Sequence, residues 1–75
     1  MSHARKRAMV FEIQFLRRNE DGRPQVIARS LGETAASIDV MLARVKAMPG
    51  RAGWPRSAEG ARILEGGRTV EEWWR

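Results

Sequence analysis

The sequence predicts an α+β fold, a two-layer ββαββ sandwich in which one helix covers one face of a small antiparallel sheet. Three observations predict it. Phe11, Ile13 and Phe15 alternate with Glu12 and Gln14, the period of two expected of a half-buried strand. Ile38, Leu42 and Val45, joined by Met41 or Met48, recur at spacings of three and four and trace one helical stripe. Two turn signals, Asn19-Glu20-Asp21-Gly22 and Gly66-Gly67, divide much of the remainder into strand-sized pieces. Strands on either side of a single helix close most simply as a sheet with the helix on one face.

Residues 1–8 read as a disordered basic arm, and residues 9–75 as a single domain. The first strand ends at Arg17-Arg18. In the next turn, Asn19 suits the opening position, and Gly22 suits the left-handed residue that closes a type I turn with a bulge. The return strand covers Arg23 to Arg29, with Pro24 expected where its missing N–H faces solvent. A three-residue loop sets Phe15 opposite Ile27 and a two-residue loop sets it opposite Ala28; the sequence leaves both open.

Ser30-Leu31-Gly32-Glu33 has the spacing of a capping box, so the helix is expected at about residues 31–48, stopped by Met48-Pro49-Gly50. Residues 49–60 form a loop, with Trp54 folding back over the edge of the core. Ala61 to Glu65 forms a third strand, returned by Gly66-Gly67 through Arg68-Thr69-Val70. The rival for the last segment is a helical turn, since Thr69 to Glu72 also has capping-box spacing. The hairpin is preferred, because six residues are too few for a helix standing alone.

Composition narrows the function. The chain has 75 residues, 43% of them hydrophobic, no cysteine and one histidine, His3. That suits one small domain with a thin core. It excludes a disulfide framework, a zinc finger and a cysteine nucleophile. No metal or cofactor motif is present and none is expected. The start, Met1 to Arg7, resembles a charged n-region. Glu12, Gln14 and Arg17-Arg18 interrupt the apolar residues after it, so no secretory signal is expected. No apolar run approaches the ~20 residues of a membrane helix. A cytoplasmic protein is the expectation.

Two groups of residues stand out as sites. The first is Trp54, Trp73 and Trp74, three of five aromatic residues, all in the last 22 positions. Trp is a frequent interface anchor, and it also seals small cores. Adjacent Trp73 and Trp74 cannot both point inward from a strand, so at least one is expected at the surface or against another chain. The second group is basic: Arg5, Lys6 and Arg7 in the arm, Arg17, Arg18 and Arg23 around the hairpin, and Arg51 and Arg56 in the loop. These are candidates for backbone phosphates, although positive charge also guards strand edges. The formal charge is +5. Outside the arm, eleven cations against nine anions leave +2.

The carboxylate pairs Glu20-Asp21 and Glu71-Glu72 diverge or are solvated, so catalysis is not expected of them. The expectation is therefore a small non-enzymatic binding module. It acts through protein–protein contact, with a second copy of itself or another chain. The alternative is a nucleic-acid-binding accessory protein.

Overall fold

A computed structural model describes residues 8–48 and 54–75. Their elements run β1 (Met9–Arg18), β2 (Pro24–Ala35), α1 (Ile38–Ala47), β3 (Gly60–Glu65) and β4 (Arg68–Trp74). The strands form one antiparallel sheet in the order β2-β1-β3-β4. The fold is the two-layer α+β arrangement that the sequence predicts. The arm, apart from Ala8, and residues 49–53 lie outside the described residues.

The alternation in β1 decides the two faces. Phe11, Ile13 and Phe15 are buried on the inner face, where Ile13 lies across from Ile63 and Phe15 across from Ala61. Met41 and Val45 of α1 close over them, with Ile38, Leu42 and Met48 half-buried at the margin. Trp54, Ala35 and Ala58 complete the core. A chain this short has few such side chains, so each one carries a large share of its stability.

The first hairpin has the three-residue turn. The Gly22 N–H donates to the Asn19 carbonyl at 2.9 Å, with Gly22 at φ 77°. Asn19 Oδ1 also accepts from the N–H groups of Asp21 and Arg23. Yet Phe15 faces Ala28, because a bulge between the Phe15 and Leu16 pairs adds one residue to β2. A second irregularity, between the Phe11 and Ile13 pairs, contains Gly32 at φ 70°. Pro24 is the first residue of an edge strand, where no ladder bond needs its donor.

The helix is shorter than residues 31–48. β2 continues to Ala35, because Glu33, Thr34 and Ala35 pair with Phe11, Val10 and Met9. Ser30 and Glu33 do meet, the hydroxyl donating to the carboxylate, but they do so inside β2. The N-cap is Ser37, whose Oγ accepts from the Val40 N–H at 3.2 Å. A non-local strand pairing has outweighed a local capping pattern. Arg44 then fastens the helix to the end of β2 by donating to the Thr34 carbonyl at 2.8 Å.

The last segment is a hairpin. Gly66 and Gly67, at φ 59° and 82°, link Glu65 to Arg68, the paired left-handed conformation of a tight two-residue turn. β4 runs on to Trp74, four residues beyond Val70.

Candidate functional site

Strand period separates the three tryptophans. Trp54 is buried, its ring edge-on to Phe15 with centroids 5.2 Å apart, and its indole N–H donates to the Ala58 carbonyl at 3.3 Å. Trp73 lies across from Ala61 and packs against Trp54 with centroids 6.1 Å apart. Both belong to the core side of the sheet. Trp74 points the other way. It pairs with Gly60, and a Cβ on Gly60 would stand 2.6 Å from its ring. Its indole N–H donates to Glu72 at 2.9 Å, and the Arg18 guanidinium covers its ring at 4.1 Å. Of the three, Trp74 alone is presented on the outer face.

That face carries two ordered rows. One row is polar. Register sets Arg29, Gln14, Arg62 and Glu72 side by side across all four strands. Arg62 Nε donates to Glu72 at 3.0 Å, and its Nη1 donates to Gln14 at 3.4 Å. The Gln14 amide donates to Glu12 at 2.8 Å, and Arg29 stands 3.9 Å from the same carboxylate. The other row is apolar: Val26, Leu16, Gly60 and Trp74. Leu16 is fully buried there, while Val10 and Leu31 are 58% and 70% exposed.

Glu72 is the electrostatic centre of the polar row. The Trp74 indole N–H and then the Arg62 guanidinium hold its carboxyl below the ordinary value of 4.5, against a smaller opposing effect of burial. Both donors favour the charged form.

The basic candidates divide in two. Arg5, Lys6, Arg7 and Arg51 lie outside the described residues. Arg17, Arg18, Arg23 and Arg56 are exposed, and strand direction brings the first three to one end of the sheet. Arg75 joins that end, its N–H donating to the Glu59 carbonyl. The loop holding Arg56 is tied there too, since the Glu59 N–H donates to the Leu16 carbonyl. Glu20, Asp21 and Glu59 share the same end, and the Glu59 carboxylate accepts from the Arg18 N–H. The described residues contain ten basic and nine acidic side chains, so most of the chain's excess charge lies elsewhere.

Sequence reasoning did not single out Glu12, Gln14, Arg29, Arg62 or Glu72 as one group. Part of the signal is present: Glu12 and Gln14 alternate with the buried residues of β1, and Arg62 sits between Ala61 and Ile63. Among the described residues, no cluster of three or more His, Cys, Asp or Glu side chains is placed to hold a metal. No helix there is long and apolar enough to cross a membrane. Comparison of the chain with protein-family models, curated proteins and solved structures gives no match.

Proposed function

We propose that this protein is a small non-enzymatic binding module that acts through protein–protein contact, using the outer face of its sheet. One observation carries the reading. The helix covers the inner face, whereas the outer face holds a half-buried tryptophan, half-buried Val26 and Leu64, and exposed Val10 and Leu31. Its charged groups are already bonded to one another. An aromatic and apolar patch threaded with paired polar groups has the composition of a protein interface. Catalysis finds no support in the carboxylates, since Glu71 and Glu72 are neighbours on a strand and diverge. A cytoplasmic location is part of the same proposal and rests on the cysteine-free composition.

The test is position-specific photo-cross-linking in cells that make the protein. A photoreactive amino acid at Leu31, on the outer side of β2, should give a discrete protein adduct. The same residue at exposed Ala43 on the helix should not. Equal labelling from both sites, or none from Leu31, overturns the proposal.

A second reading has one observation of its own, the convergence of Arg17, Arg18, Arg23 and Arg75 at the hairpin end with Arg56 nearby. Phosphate contact there would make binding to a short oligonucleotide fall steeply with salt. No retardation at low salt removes it.

A further inference from the structure

We infer that the outer face binds a second copy of this chain, the two sheets stacked face to face about a twofold axis that runs parallel to the strands between β1 and β3. The inference rests on the outer-face proposal and names its partner.

The order of residues across the sheet selects this axis. A twofold of that kind reverses strand order, so β2 of one copy lies over β4 of the other, and β1 lies over β3. In the polar row, Arg29 then meets Glu72 of the second copy. Gln14, with the Glu12 carboxylate bonded to it, meets Arg62. The signs oppose where Arg29 meets Glu72, a neutral amide faces the guanidinium where Gln14 meets Arg62, and symmetry repeats each contact.

In the apolar row the same operation sets half-buried Val26 over half-buried Trp74. Val26 and Trp74 are the apolar side chains this contact uses, because Leu16 is already buried and Gly60 already lies under the Trp74 ring within its own chain. A face-to-face twofold that runs across the strands through the polar row behaves differently. It sets Arg29 on Arg29, Arg62 on Arg62 and Glu72 on Glu72. The axis along the strands therefore opposes charges in the polar row and joins Val26 to Trp74, whereas the axis across that row repels.

The side chains can make these contacts. The Arg29 side chain is 61% exposed and reaches Glu12 only at 3.9 Å, and that of Glu72 is 37% exposed. Stacked sheets stand ~10 Å apart, a gap that two long side chains bridge. Arg18, stacked on Trp74 in the single copy, is exposed and has solvent to move into.

The experiment is charge reversal with complementation, read by sedimentation equilibrium. Wild type should dimerise. Arg29→Glu and Glu72→Arg each create two like-charge crossings per dimer, and each should raise the dissociation constant by about tenfold or more. An equimolar mixture of the two variants restores opposite signs at both crossings and should recover the wild-type affinity. Because Glu72 also bonds Arg62 and Trp74 within its own chain, circular dichroism must show each variant folded. Val26→Arg is the second variant. It obstructs the Trp74 contact without touching the polar row and should also abolish the dimer.

Wild type that stays monomeric at about 1 mM overturns the inference. So does a dimer indifferent to Arg29→Glu and Val26→Arg, or folded variants whose mixture recovers nothing. The Leu31 cross-link separates the two proposals. An adduct of about twice the chain mass fits the second copy. An adduct of another mass ends this inference and leaves the outer-face proposal standing. No adduct ends both.

Discussion

Gly60→Ala is the most direct test of how the outer face is built. Gly60 has no positive φ, so alanine fits its backbone and would ordinarily stabilise by about 0.4–1 kcal/mol through the unfolded chain. Here the added Cβ would stand 2.6 Å from Cε3 and 2.7 Å from Cδ2 of Trp74, and 2.7 Å from the Trp73 carbonyl oxygen. The ring can swing away, but the carbonyl belongs to the strand and cannot.

Overpacking of this kind costs about 1–3 kcal/mol, and displacing the ring from Arg18 removes a cation–π contact of about 0.5–1 kcal/mol. After the offset, the net loss should be about 2 kcal/mol. For a domain of this size that is a fall in Tm of roughly 8–16 °C. Thermal unfolding followed by circular dichroism, at one fixed protein concentration, measures it. In a Trp74→Ala background two of the three close contacts vanish, so the penalty should shrink by about 1 kcal/mol, as expected for coupled neighbours. A Gly60→Ala protein melting at or above wild type would refute the claim that Trp74 is seated on Gly60.

Three further outcomes rest on local structure. Ser37→Ala removes the true N-cap and should cost about 1 kcal/mol in urea unfolding, whereas Ser30→Ala, inside β2, should cost less than half as much; the reverse order would reinstate a helix starting near residue 31. Gly66→Asn, at φ 59° with nothing within 4 Å of its Cβ, should raise stability by about 0.5 kcal/mol, because asparagine tolerates the left-handed conformation and restricts the unfolded chain; a lower melting temperature would contradict the tight turn. Glu72 has a folded pKa below 4.5, so its contribution is present above the unfolded value and is lost as pH falls through the lowered one. The stability gap between wild type and Glu72→Gln should therefore hold steady at neutral pH and shrink in acid, by a small amount because the side chain is partly solvated. A gap that widens in acid would reverse the assignment.

What the sequence made legible was local. The alternation around Ile13, the Asn19–Gly22 turn and the Gly66-Gly67 turn each encode their geometry in a few adjacent residues. So does the divergence of Trp73 and Trp74. The start of the helix was not legible, because Ser30 has the capping-box partner Glu33, whereas Ser37, the N-cap in the structure, has only Val40 at that spacing. What decides between them is distant: Met9, Val10 and Phe11 offer a ladder that residues 33–35 can join.

The polar row was hidden for a related reason. A three-residue turn with regular pairing would set Gln14 opposite Ala28. One bulged residue moves it opposite Arg29, and only then does a basic group from β2 join the row. No residue type in that stretch announces the extra position. Gly32, at the second irregularity, is the one that could have been noticed.

The same irregularities bear on how the sheet can associate. An edge strand is a template for pairing with another chain unless something interrupts it. β2 begins with Pro24 and is broken twice, and β4 is broken between the pairs made by Ile63 and Leu64. Both edges therefore present interrupted backbone groups. The inner face is filled by α1 and Trp54. What is left is the outer face, where bonds among Glu12, Gln14, Arg62 and Glu72 fix the charges in place before any partner arrives. Ordering those side chains within the chain lowers the entropy lost when two faces meet. A fixed order of charges favours one relative orientation over the others. Thus the bulges act twice: they blunt the edges, and they set the register that aligns Arg29 with Gln14, Arg62 and Glu72 on the face.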